Sequence, residues 1–277
     1  MKLDKEFCIF ILSHNRANNI ATLDMLKRYN YEGMWKVVIS DDDKEIEKYK
    51  EAIDEEHLLI FKKEDALVYS NTYLAHDCFI SSASLYARNY ILKYSRENGI
   101  KWLIQADDDI THLYHRFIDV NGKLKQKEIE SVDEVVKPLM EFMDGDKKIE
   151  SICPAINSGY FGGPNGNFAK GLTNYAFQFM LMRNTHPGFE GIRTEDWMTS
   201  HIHKDRLFLT YWGLSFDSPK MSTNEGGIDY HNEYIFNPYI FILMHDPSCI
   251  ILKENGKKVI YQNKAFPKWI SEEYKKR

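Results

Sequence analysis

Three adjacent carboxylates, Asp107-Asp108-Asp109, close the apolar run WLIQA. Like charges side by side repel, and a divalent cation removes that cost. Mg2+ or Mn2+ is a hard ion that takes one or two carboxylates and fills its remaining positions with phosphate oxygens and water. On a nucleotide diphosphate, such an ion neutralises charge building on the departing diphosphate. The plainer alternative is an exposed acidic turn. A second triplet, Asp41-Asp42-Asp43, closes the run WKVVIS. Asp41 or Asp42 suits hydrogen bonding to a nucleotide's base or ribose. Capping of a helix beginning near Glu45 accounts for the same acids equally well.

The cations that answer these acids are Arg16, in the polar cluster Ser13-His14-Asn15-Arg16, and Arg88, in YARN. A guanidinium can grip a diphosphate or orient a carboxylate bidentately. Glu195-Asp196, in IRTEDW, offers a base that would deprotonate an acceptor hydroxyl, or else simply the first-turn acids of a helix. His231, in GGIDYHNE, is a further metal ligand to consider. His201 and His203 stand two apart on an expected helix and cannot both face one ion. Gly226-Gly227 fits a close backbone approach to a ligand, or an ordinary turn.

The elements that must position these groups follow from the pattern. EFCIFILS, WKVVIS, LLIFKK, KWLIQA and SICPAI read as buried strands, and LFLTYWGLSF and NYAFQFMLMR as later ones. Helices are expected after Asn18 or Asn19 as cap, over Glu45–Glu55, over Ser84–Asn98 with Gly99 beyond it, near Lys127–Met143, and after Thr194. Strands alternating with helices predict an α/β fold whose mostly parallel central sheet carries helices on both faces. Ligands gather at the carboxyl ends of such strands, and three of the first four strands end in the polar clusters above.

The whole chain sets outer bounds. At 277 residues it fits one domain: 1–120 as a nucleotide-binding half, 121–250 as an acceptor half, and 251–277 as a basic segment. No apolar run approaches the roughly 20 residues of a membrane span, and no signal peptide is read. Four scattered cysteines without a CxxC suit a reducing cytoplasm and exclude a zinc ribbon or disulfide framework. Net charge is −5, yet residues 251–277 hold eight Lys/Arg against three Glu, so the rest of the chain is markedly acidic. That end is a solvated tail or a face for a polyanion.

The ordered set SHNRANNIATLDML, YARNYILKYSRENGIKWLIQADDDI, IRTEDWMTSHIHKDR and KMSTNEGGIDY resembles the GT-A-type glycosyltransferases. More narrowly, it is similar to the TET-associated phage enzymes that attach sugars to hydroxymethylated pyrimidines in DNA. The resemblance implies a GT-A-like fold and a UDP-sugar donor used with Mn2+ or Mg2+. It also implies a DNA acceptor such as 5-hydroxymethylcytosine, action in the host cytoplasm, and neither a membrane nor an obligatory protein partner. It gives Asp107 and Asp109 to metal and diphosphate, with Asp108, Ser13 and Arg16 beside the donor. Arg88 would hold the acidic loop, Asp41 or Asp42 the nucleotide, and Asp196 or Glu195 would be the acceptor-side base. The family's third acidic position is expected to be Asn, whereas Asp109 stands here and keeps a metal ligand. Tyr261, Phe266, Trp269 and Tyr274, among the C-terminal cations, would help hold a base flipped from the duplex. A polysaccharide, lipid-linked or protein acceptor fits the same donor site. A nucleotidyltransferase is a rival that lacks a phosphate-cradling glycine loop, and a non-catalytic binding scaffold is another.

Overall fold

The computed structural model describes residues 6–69, 83–190, 195–203, 205–219, 250–255 and 258–263. The first half follows the expected alternation. β1 (Phe7–Leu12), α1 (Ala21–Arg28), β2 (Met34–Ser40), α2 (Ile46–Ala52), β3 (Leu58–Phe61), α3 (Lys63–Tyr69), α4 (Ala83–Glu97) and β4 (Trp102–Asp107) come in turn. β1 is buried along its whole length because strands flank it on both edges and helices cover both faces. Gly99 follows α4 at φ +70°, the left-handed position that ends a helix and that glycine adopts without strain.

The second half is mixed. It contains β5 (His112–Ile118), β6 (Leu124–Glu128), α5 (Asp133–Gly145), β7 (Ile149–Ile156), β8 (Leu172–Asn174), β9 (Phe179–Arg183), α6 (Glu195–Ile202) and β10 (Leu207–Asp217). A separate antiparallel pair joins β11 (Ile250–Asn255) to β12 (Lys258–Asn263). The main sheet has the order β3-β2-β1-β4-β9-β7-β10-β5-β6, with β8 pairing β10. β3, β2, β1 and β4 are parallel. β9 is antiparallel to both β4 and β7, so β7 points the same way as β4, and β10 is parallel to β7. The carboxyl ends of β1, β2, β4, β7 and β10 therefore share one edge of the sheet.

Two apolar layers clothe the sheet. One joins Ile9, Ile11, Ile104, Leu181 and Leu209 to Leu23 and Leu26 of α1 and Val135, Val136 and Leu139 of α5. The other joins Phe10, Leu103, Cys153 and Met180 to Leu85, Ile91 and Leu92 of α4. Cys8 and Cys153 are free and buried, as small apolar residues would be. No helix among the described residues is long and apolar enough to cross a membrane.

Three local expectations are corrected. The residue before α1 is Ile20 and caps through no side chain; the Thr22 N–H in its first turn bonds instead to the carbonyl of Asp108. The helix expected from Lys127 begins only at Asp133, because Leu124–Glu128 is paired with β5 around the Asn121-Gly122 turn, with Gly122 at φ +74°. The strand expected over residues 174–183 is broken in two by Tyr175 and Gln178, both at positive φ.

Candidate active site

At the end of β4 the backbone turns so that successive carboxylates face different partners. Asp108 points inward. It accepts from Ser13 Oγ at 2.7 Å and from Arg16 at 2.8 Å, and Ser13 also bonds the Tyr49 hydroxyl at 2.7 Å. Asp107 turns the other way and accepts from Arg88 at 3.0 Å. Asp109 accepts from Ser218 Oγ at 2.8 Å through Oδ2, while its Oδ1 is buried with no hydrogen-bond partner among the described residues. Thr22, fully buried, ties the loop from beneath. Its hydroxyl donates to the Asp107 carbonyl at 2.6 Å and accepts from the Ile110 N–H at 2.9 Å.

Arg88 is buried and joins two elements. It donates to Asp107 and, through Nε at 3.0 Å, to Glu195 at the start of α6, with the Phe189 ring 5.6 Å away. Burial alone would lower the guanidinium, but Asp107, Glu195 and Asp196 outweigh it and hold it above its ordinary value. Burial pushes the Asp107 carboxyl up to about 6 against the pull of Arg88, and Asp109, Asp108 and Glu195 push the same way. Burial likewise raises Asp108, in spite of Arg16 and Ser13. The site thus carries more carboxylate than its two arginines satisfy, which is the electrostatic setting a cation relieves.

The second triplet divides its work. Asp43 is buried and accepts from the N–H groups of Asn15 at 2.8 Å and Glu45 at 2.7 Å, with His14 at 3.3 Å. Burial would raise it, but these partners outweigh that and hold it low. The expected cap of α2 is not made: its N-cap residue is Glu45, with no side-chain cap, and Asp43 closes the turn before the helix instead. Asp41 and Asp42 remain exposed, Asp41 accepting from the Lys63 N–H at 3.0 Å and Asp42 from Lys63 Nζ at 2.9 Å.

Among the described residues no three His, Cys, Asp or Glu side chains converge to hold a metal unaided. Two hard oxygen donors on one short loop, one of them an orphaned buried carboxylate oxygen, nevertheless suit Mg2+ or Mn2+, which leaves most positions to water and phosphate. His231, Gly226 and Gly227 lie outside the described residues, as do Phe266, Trp269 and Tyr274.

The model of the TET-associated glycosyltransferases matches residues 7–227, which include both acidic triplets, Arg16, Arg88 and Glu195-Asp196 but not His231. The chain belongs to this family. It is a glycosyltransferase, and its sheet is the GT-A-like α/β arrangement implied by the resemblance. Comparison with curated proteins gives no match. Among solved structures, the chain is similar to glucosyl-3-phosphoglycerate synthase from Mycobacterium tuberculosis in complex with Mg2+ and UDP. Identity is 9%, coverage 95% of this chain and 88% of that one, and the TM-score 0.45. The same enzyme with Mn2+, UDP and phosphoglyceric acid matches at 10% identity and the same coverages, with a TM-score of 0.42.

Within this glycosyltransferase the fold joins Ser13, Arg16 and Asp108 in one bonded group and Arg88, Asp107 and Glu195 in another, on either side of the same loop, with Asp109 held by Ser218 and Asp196 half-buried next to Glu195 in the chain. Asp41 and Asp42 sit at the neighbouring strand end. Sequence reasoning missed Thr22, Tyr49, Lys63 and Ser218, which hold the acids in place. A lone hydroxyl far along the chain from its carboxylate leaves no spacing signal. Lys63 directly follows a strand, so the rule that ligands gather at strand ends would have singled it out.

Proposed function

We propose that this glycosyltransferase moves a sugar from a UDP-sugar to the hydroxymethyl group of 5-hydroxymethylcytosine, or a related base, in DNA. The observation that carries the donor half is the acidic loop. Asp107 and Asp109 stand at the carboxyl edge of the sheet, and the buried Asp109 Oδ1 has no partner among the described residues. These two carboxylates would hold Mg2+ or Mn2+, which supplies charge neutralisation to the leaving diphosphate. The solved neighbours are named with those ions and UDP, which is in keeping with this reading.

Ser13, Arg16 and Asp108 brace the loop from the β1 side, and Asp41 and Asp42 are the exposed acids available to the nucleoside. Arg88 holds Asp107 and Glu195 in one register, coupling the donor loop to α6. Asp196 or Glu195, at the start of α6, would be the base for the acceptor hydroxyl. The DNA acceptor follows from the family's name.

The test is intact-mass analysis of hydroxymethylcytosine duplex DNA incubated with the protein, Mn2+ and a panel of nucleotide sugars. A gain of one sugar mass per modified base, abolished by chelator and by Asp107→Ala with Asp109→Ala, is expected. Metal-dependent hydrolysis of one nucleotide sugar without any gain on DNA would move the acceptor to another class. Sugar transfer that survives loss of both acids would overturn the donor site.

A further inference from the structure

Beyond the acidic loop, the β5–β6 hairpin and the loop after β7 build a surface that sugar-donor chemistry does not use. Along β5, Leu113 is buried, so alternation turns Tyr114 and Arg116 to the opposite face. Arg116 donates through Nε to Ser215 Oγ at 2.9 Å, and its guanidinium carbon lies 4.2 Å from the Tyr160 ring centroid. Its terminal nitrogens have no protein partner among the described residues. Tyr160 stands edge-on to Trp212, with centroids 5.0 Å apart and planes at 77°. Its hydroxyl lies within reach of the carbonyls of Trp212 (2.7 Å) and Leu214 (2.9 Å), and Trp212 Nε1 donates to Thr173 at 2.9 Å. These rings are therefore fixed in place. The next residue, Phe161, is 72% exposed on a loop closed by Asn167, whose side chain donates to the Gly159 carbonyl at 2.7 Å.

Two properties say what this surface takes. The hairpin, residues 112–128, carries Arg116, Lys123, Lys125 and Lys127 against two acids, Asp119 and Glu128, in a chain whose net charge is −5. The cross-strand register sets Lys125 and Lys127 beside Phe117 and His115, on the face opposite Arg116. Lys123 and Lys125 have no ion pair among the described residues, whereas Lys127 is paired with Glu130 at 3.0 Å. A locally cationic hairpin on an acidic protein favours a polyanion, and the exposed Phe161 ring near a guanidinium held on Tyr160 favours one that carries stacking bases. The surface also adjoins the site. Ser215, which holds Arg116, lies three residues before Ser218, which holds Asp109. Tyr114 and Asn157 both donate to Asp217 between them, at 2.9 and 2.7 Å.

Resting on the DNA-acceptor reading, we infer that this shelf binds the acceptor strand. Arg116 takes a phosphate, Phe161 stacks on a base, and Lys123, at the hairpin turn, holds the flanking backbone.

The test is fluorescence anisotropy with a labelled hydroxymethylcytosine duplex in the absence of donor, repeated across a salt series. Arg116→Ala with Phe161→Ala should raise Kd about tenfold or more. Lys123→Ala, at the exposed hairpin turn, should flatten the salt slope by about one. Both variants should bind UDP with Mn2+ as the wild type does, which separates lost contacts from lost fold. Arg116→Lys should not rescue fully, because an ammonium cannot reproduce the stacked, forked guanidinium. If the wild type glycosylates DNA while both variants keep its Kd and KM for DNA, the shelf is wrong and the proposed function stands. If the wild type hydrolyses a nucleotide sugar but neither binds nor modifies DNA, both are wrong.

Discussion

Asp107 faces a conflict that its neighbours only half resolve. Its carboxyl is held near pH 6 instead of the ordinary 3.8, with burial as the first cause. Between those two values the folded protein keeps a proton that the unfolded chain has released. This group's contribution to stability is therefore present at low pH, declines as pH rises from about 4 to about 6, and is absent above. Asp107→Asn mimics the neutral carboxyl. It should leave Tm unchanged near pH 4 and raise it near pH 8 in metal-free protein, while abolishing the Tm gain from Mn2+ with UDP. A variant that still responds to Mn2+ and UDP as the wild type does would remove Asp107 from the metal site. Thr22 makes the complementary case. Thr22→Val keeps the shape but strands the buried Ile110 N–H and the Asp107 carbonyl, a cost of about 1–3 kcal/mol. Denaturant unfolding should show that loss, and calorimetry should show weaker UDP binding. Thr22→Ser should restore both, since the hydroxyl and not the methyl does the tying.

At the scale of elements, the loop between β7 and β8 is the part most sensitive to a single atom. A Cβ at Gly166 would lie 1.8 Å from the Phe161 carbonyl oxygen and 2.7 Å from the Gly162 Cα, and neither backbone atom can yield without opening the turn. Gly166→Ala should cost about 1–3 kcal/mol and raise KM for the acceptor, with UDP affinity unchanged. Equal damage to both substrates would mean that this loop supports the donor side too. The parallel half was legible because FCIFIL, VVIS, LLIF and WLIQA are continuous apolar runs that end in polar residues, as strands buried on both faces do. The β5–β6 hairpin was not legible, for β6 reads LKQKE and lies largely in solvent, leaving the Asn121-Gly122 turn as its main signal. Within the site, the acids and arginines stood out by type. Their hydroxyl partners did not, because Thr22 meets Asp107 across 85 residues and Ser218 meets Asp109 across 109.

For the molecule as a whole, the apolar layer on the α1 and α5 face decides how the two halves are coupled. It runs without a break from Ile9 and Val37 in the first half of the chain to Leu209 and Phe216 in the second. The strands carrying these residues belong to one continuous hydrogen-bonded sheet. Neither half can unfold without exposing the other's buried face, so the two should melt together in one calorimetric transition, with calorimetric and van't Hoff enthalpies equal. Ligand held by the acidic loop must then stabilise all of it. At 100-fold excess over Kd, UDP with Mn2+ adds ~2.7 kcal/mol, which for a protein of this size moves Tm by about 5–10 °C. Arg88 extends the same coupling to α6, because its guanidinium spans Asp107 and Glu195. In Arg88→Ala the single transition should persist, since the sheet is intact, but its shift with UDP and Mn2+ should shrink. Two transitions in the wild type, with only the first moved by UDP and Mn2+, would show instead that the halves are independent units and that Arg88 is a local brace.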